Sequence, residues 1–351
     1  MRFLWRWTTR LILLLVILVI GLLAPVGYNE IACRGDVMDE AFEPQIAAED
    51  HRDESATYLT YPEWHIVFAY DDYAKVLETG NPHEFGYWRS ISGFWSALCN
   101  LTETADNHGG APDTKNMVYV IGVSFTAELL AKAAYEETIG RFFTWVGGRS
   151  ASDKASAQMA RDYAEFLHQI PWYKYDFPSD IAELKAIGPE TLRDRERQFA
   201  LGLEFGAKAQ YAKAIAKAVE TTGQAKLTIR SIVNNLTVEE LRGIDGVTVI
   251  RATPDGTEID TPRYAAFTDI LRQIAAKGGR ISEIAGNDEI MITITGFDRP
   301  DILADLPVLA TLQRQGYDDL RWLVDVQLTD LHTVIRALEG TDATLEHIFD
   351  Y

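Results

Sequence analysis

The sequence predicts an α+β protein: an N-terminal transmembrane helix, then an all-α helical bundle, then a ferredoxin-like domain on an antiparallel sheet. Three observations carry that prediction. Leu11 to Ala24 reads LILLLVILVIGLLA, without a charge. Residues 58–222 repeat apolar side chains at helical spacing between capping and breaking residues. Residues 223–351 turn β-branched, in short alternating runs divided by turn residues.

As a helix the apolar run is about 21 Å long. Uncharged Pro25, Val26, Gly27 and Tyr28 extend it to roughly 27 Å, close to a hydrocarbon core of about 30 Å. Arg10 can carry its charge to the interface, and Trp5, Trp7 and Tyr28 fall where an aromatic belt would place them. The rival reading is a cleaved secretory signal, but its small-x-small cleavage site is poor, since Leu22-Leu23-Ala24 is followed by Pro25, which disfavours cleavage. Arg2, Arg6 and Arg10 precede the run, and acids follow it. Residues 1–10 are therefore expected in the cytoplasm, 11–28 in the inner (cytoplasmic) membrane and the rest in the periplasm. Residues 29–57 are acidic and aperiodic, and read as a stalk.

A hydrophobic content of 47% and a charged content of 24% are those of a globular chain. A net charge of −19 argues against nucleic acid, whose phosphates require a basic surface. The two cysteines, Cys33 and Cys99, both lie in the exported part and are a candidate disulfide worth about 4 kcal/mol. They form no C-x-x-C pair, which leaves out a thioredoxin-like site and a zinc knuckle.

Thr60-Tyr61-Pro62-Glu63 has the form of a capping box, and the helix it opens ends at Gly80. A second helix follows Asn81-Pro82. From Asn116 to Trp145 an apolar pattern interrupted by Glu128, Lys132, Glu136, Glu137 and Arg141 reads as the buried central helix of the bundle. Further helices are expected at Asp153–Gln169, before Gly188, and from Glu190 to about Glu220. In the C-terminal part, strands are expected at Val247–Ala252, at a short return after Gly256, and at Arg280–Ala285, Glu289–Thr295, Leu320–Val326 and Glu346–Tyr351. Helices are expected from Thr261 to Lys277, at Ile302–Gln315 and at Leu331–Leu338. Gly286-Asn287-Asp288 reads as a hairpin turn, and the order of elements is that of a split βαβ unit.

The chemistry is sparse. Asp162, Glu165 and His168 share one helix face, and Glu-x-x-His is a spacing used in carboxylate-bridged bundles. With Glu128 as a further ligand they are the candidate metal site, although the plainer reading puts Glu165 and His168 on the solvated face and pairs Glu128 with Lys132. Two aromatic segments supply candidate interface residues, Trp64, Tyr70 and Tyr73 in the first and Trp172, Tyr173 and Tyr175 in the second, with bundle core as the alternative. No Gly-x-Ser-x-Gly elbow, phosphate loop or dinucleotide fingerprint occurs.

The run Ile292-Thr293-Ile294-Thr295-Gly296-Phe297-Asp298-Arg299-Pro300-Asp301-Ile302-Leu303-Ala304 resembles the strand-to-helix segment of ACT domains. That resemblance implies a ferredoxin-like fold and a small regulatory module that binds amino acids between subunits. Asp301 stands where the family has its second glycine. The residues alone read as a strand-to-helix turn stabilised by Asp298 and Pro300.

The leading functional expectation is a non-enzymatic accessory or binding protein, membrane-anchored through its N-terminal helix and contacting another envelope component. The alternatives are a helical-bundle metalloenzyme and a small-molecule sensor working through the ACT-like segment. No cofactor, substrate or catalytic residue is indicated.

Overall fold

The computed structural model describes residues 2–37, 42–222 and 226–351. Helix α1 (Arg2–Ala32) carries the apolar run, and Leu11 to Ile20 expose their side chains all round. The helix does not end where the run does. Leu22, Pro25, Val26 and Asn29 recur on one face and are partly or wholly buried against the following helices. The Tyr119 hydroxyl lies 2.7 Å from Asn29 Oδ1 and 2.6 Å from Glu30 Oε1. Just beyond the helix, Cys33 is disulfide-bonded to Cys99.

The expected stalk is therefore not a free spacer. Its first residues continue α1, and its later ones lie on the β region. The main-chain N–H groups of Gln45 and Ile46 each donate to the Glu283 carboxylate across 2.9 Å. Asp50 lies 3.0 Å from both Lys226 and Arg230, and Arg52 donates to the main-chain oxygen of Tyr351. Glu30 and Asp50, two of its acids, meet basic partners distant in the chain, Lys115 for the first and Lys226 and Arg230 for the second. Residues 38–41 and 223–225 lie outside the described residues.

The helical layer comprises α2 (Ala56–Thr79), α3 (Tyr87–Asn107), α4 (Pro112–Tyr135), α5 (Arg141–Gly147), α6 (Ala151–Leu167), α7 (Phe177–Ile187) and α8 (Leu192–Thr222). A π-type turn, Glu136–Gly140, joins α4 to α5. Local chemistry sets several starts. Ser150 and Asp153 form a reciprocal capping box at α6, and Asp176 accepts from the Ser179 N–H at α7. Helix α2 begins four residues before the box expected at Thr60, because tertiary contacts take over. Thr57 Oγ1 donates to Phe349 O at 2.7 Å and accepts from the Met291 N–H at 3.1 Å. Thr60 instead turns its hydroxyl back onto Ala56 O, and Pro62 lies inside the helix.

The expected single sheet is two. The first contains β1 (Thr228–Asn234), β2 (Thr248–Thr253), β3 (Gly256–Pro262) and β4 (Arg280–Ile284), in the order β2-β3-β1-β4. The second contains β5 (Glu289–Gly296), β6 (Val308–Gln313), β7 (Leu320–Gln327) and β8 (Thr344–Ile348), in the order β6-β7-β5-β8. Every pairing is antiparallel. Both units follow one plan of strand, short helical turn, two strands, helix, strand. The turns are α9 (Val238–Arg242) and a 3₁₀ turn at Asp301–Ala304, and the helices are α10 (Ala265–Ala276) and α11 (Leu328–Leu338).

Two corrections follow. The segment read as a helix at Ile302–Gln315 is a 3₁₀ turn and then strand β6, since Pro307 interrupts any helix there. The turn at Gly286-Asn287-Asp288 does not close a hairpin, because β4 and β5 belong to different sheets. It is the link between the two units.

Helices α10 and α11 touch each other and both sheets, so the two units share one core. Ile290, Ile292 and Ile294 enter it from β5. The opposite face of the second sheet, with Met291, Leu323 and Phe349, joins the helical layer through Tyr58, Tyr61, Trp64, Phe68 and Phe94. This sheet is covered on both sides, so β5 is buried almost throughout rather than at alternate positions.

Candidate metal centre at the helix and sheet junction

Three segments distant in sequence converge beside the start of β5. Glu54 precedes α2, His108 follows the last residue of α3, and Glu289 opens β5. One potential ligand atom from each lies within 4.8 Å of the other two. His108 Nδ1 is 3.7 Å from Glu54 Oε2, and His108 Nε2 is 3.5 Å from Glu289 Oε2. Neighbouring donors on a tetrahedral shell of about 2.1 Å radius stand roughly 3.4 Å apart, and the two glutamates face different ring nitrogens, so the ligand atoms, up to 4.8 Å apart, would have to draw together to share one ion. A single ion would take one ring nitrogen and one oxygen from each glutamate. One imidazole with two carboxylates suits a first-row transition ion better than calcium or magnesium, which prefer oxygen alone.

The surroundings orient the imidazole. Tyr58 stacks on His108 with ring centroids 5.1 Å apart. Its hydroxyl donates to Asp325 Oδ1 at 3.0 Å and lies 3.2 Å from His108 Nε2. With its proton on Asp325, the Tyr58 oxygen accepts from Nε2–H, a tautomer that turns Nδ1 toward Glu54. Burial and the nearby Glu289 charge push the Asp325 carboxyl up to about 7. Burial, with Asp325 and Glu289 beside it, also pushes the Tyr58 phenol far above its ordinary value. Glu54 Oε1 is buried with no hydrogen-bond partner among the described residues.

The residues expected to bind metal are not brought together. Asp162 is exposed and accepts from Gln158 at 2.7 Å, and Glu165 is exposed on the same helix. His168 turns to α2, where its Nε2 lies 2.9 Å from Asp71 Oδ2. Glu128 accepts from the Tyr70 hydroxyl at 2.6 Å and lies 3.0 Å from Lys208. Lys132 and Lys208 also flank Glu204, at 2.9 and 3.0 Å. Burial alone would raise the Glu204 carboxyl, but the two lysines outweigh it and hold it at about 2. The cavity beside this quartet is only about 30 Å³, room for a water rather than a substrate.

The first expected interface segment is interior. Trp64 and Tyr70 are buried, and Tyr73 packs edge-on against Phe85. Trp172, Tyr173 and Tyr175 are half-buried, Trp172 against Tyr211 and Tyr175 against Tyr163 and Phe177. Exposed apolar side chains lie elsewhere. Ile139, Phe142, Trp145 and Val146 surround α5, and Leu192, Phe199 and Leu203 line one face of α8, which packs beside it. The stretch read as a buried central helix thus ends in a solvent-facing one.

In the ACT-like segment Arg299 donates to Leu303 O at 2.7 Å, and Phe297 is exposed. A 3₁₀ turn stands where the resemblance implies a helix. His108 had no sequence signal, since its partners Glu54 and Glu289 reach it only through the fold. Comparison with protein-family models, curated proteins and solved structures finds no match to this chain.

Proposed function

We propose that this chain is a single-pass, membrane-anchored extracytoplasmic protein that holds a divalent transition-metal ion at Glu54, His108 and Glu289. It would serve as a non-enzymatic accessory or binding protein for another envelope component. The observation that carries the metal reading is the convergence of three donors from three separate segments around one oriented imidazole. The arginines before the apolar run support a cytoplasmic N-terminus in an inner membrane, with the remainder periplasmic. The strand order within each sheet supports a finer reading of the C-terminal region as two ferredoxin-like units rather than one.

A metal here would act as a clip between the helical layer and the second sheet. An ion bound by the folded state alone adds about 4 kcal/mol at a thousandfold excess over its dissociation constant. Metal analysis of protein purified without chelators, with thermal shifts in Zn²⁺, Mn²⁺ and Co²⁺, tests the reading. About one ion per chain and a saturable shift, both lost in H108A and E289Q, support it. No bound metal and no saturable shift would overturn the metal reading.

The exposed apolar faces of α5 and α8 favour the accessory role. Mild cross-linking in membranes, then affinity purification of the full-length protein, should recover a stoichiometric envelope partner. The F142S/F199S variant should lose it. Recovery of the chain alone would count against the role.

A further inference from the structure

A groove of about 570 Å³ opens between α2, the start of α3 and the β6–β7 turn, lined by Val76, Glu84, Arg89, Gln313, Arg314 and Tyr317. It is a polar groove open to solvent rather than an enclosed cavity, and its walls are held in place by bonds that span the three elements. Asp72 accepts from the Gln315 N–H at 2.8 Å. The Gln315 side chain accepts from the Gly86 N–H at 2.7 Å and donates to Gly86 O at 3.3 Å. Gly316, at φ +76°, lets the turn close onto Lys75 and Val76, where a Cβ would meet Lys75 Cγ at 2.9 Å.

Two guanidinium groups line this groove. Arg314 lies flat over the Tyr317 ring, 3.8 Å from its centroid, and pairs with Asp319 at 2.7 Å. Its Nε is buried without an acceptor among the described residues. A buried donor left unpaired costs about 1–3 kcal/mol unless a water or ligand meets it. Arg89 is exposed at the start of α3 and has no acidic partner among the described residues. That is notable in a chain where 52 acids outnumber 33 lysines and arginines. Glu84, which accepts from Asn81 at 2.9 Å, adds one acceptor to the lining.

We propose that this groove binds a small oxyanion, a molecule carrying one carboxylate or phosphate group, between Arg89 and Arg314. A guanidinium fork matches the paired oxygens of either group, and the stacked, tethered Arg314 loses little freedom on binding. Glu84 disfavours polyanions and suits a ligand that also offers a hydroxyl or amine donor.

Calorimetry on the detergent-solubilised full-length protein tests this, with inorganic phosphate, lactate and glycerophosphate as probes at matched ionic strength. At least one probe should bind saturably. R89A should fold normally by circular dichroism, because the side chain is exposed and unpaired, and should weaken binding at least tenfold. R89K keeps the charge without the fork and should fall between. R141A removes a surface arginine paired with Glu137 and should bind as the parent does. Failure of all three probes, or equal weakening in R89A and R141A, would overturn the proposal.

Discussion

The main-chain N–H of Gln315 donates to Oδ2 of Asp72 across 2.8 Å, tying the β6–β7 turn to α2. Asp72 is 6% exposed, and burial pushes its carboxyl up to about 7 although Arg321 and this bond pull the other way. The unfolded chain titrates this group near 4, so the native state holds the proton longer. Stability is then full below about pH 4, falls as pH rises toward 7, and levels off above. Asp325, also pushed up to about 7, adds to the same slope. Asn at position 72 can still accept from Gln315. D72N should therefore match the parent at pH 4 and exceed it at pH 8, by up to about 4 kcal/mol. Urea unfolding at the two pH values checks this. A loss of stability at pH 8 would show that the anion is the favoured form.

The Cys33–Cys99 bond closes a loop with a sequence separation of 66. Its removal frees the unfolded chain, so C33S or full reduction should cost about 4 kcal/mol. Denaturant unfolding with and without reductant measures the difference. Parent and C33S should become indistinguishable once reduced.

Arg193 is fully buried and bidentate to Asp153, with Nε to Oδ2 at 3.0 Å and Nη2 to Oδ1 at 2.8 Å. Its Nη1 serves Glu196 at 2.7 Å and Gly140 O at 3.0 Å. R193A strands these groups away from water and should cost about 3–5 kcal/mol. R141A breaks only a surface pair and should stay within about 0.5 kcal/mol of the parent. Unfolding midpoints of the two variants make the comparison.

Gly122 allows α4 to approach α3 closely. A Cβ there would come 2.5 Å from Phe94 Cε1 and 3.0 Å from Trp95. G122A should cost about 1–3 kcal/mol through overpacking. Gly202, inside α8, meets nothing within 4 Å. G202A should stabilise by about 0.4–1 kcal/mol. Opposite signs in one melting experiment are the expected outcome.

Helix-forming composition between breaking residues was a dependable guide, because it needs no knowledge of what covers the helix. It located the long α4–α5 run and α8 to within a few residues. The sheets were harder. Strand β1 has Arg230 and Ser231 in its middle, and Arg230 serves ion pairs with Asp260 and Asp50 that only the fold supplies. Strand β6 was lost to an apparent helix, although Pro307 and the alternation of Val308, Ala310 and Leu312 argue against one. Without β1 and β6, the remaining six strands read as one sheet.

The candidate sites were less legible for a related reason. Glu165 and His168 stand together along one helix, yet His168 answers to Asp71 on another. Glu54, His108 and Glu289 meet only after α2, α3 and β5 have packed. Spacing within an element can be read from a sequence, whereas convergence between elements depends on crossing angles that no local pattern records.

Helix α1 passes from its apolar run straight into contact with Tyr119 and Cys99. With that run in a bilayer, the head is a turret bolted to its mast. It cannot swing out on a tether to fish for partners at a distance. Its own reach would then be confined to one plane, with diffusion in two dimensions in place of a swinging tether. Rotation about the α1 axis would be the main freedom left, holding the head at one nearly constant height above the lipid.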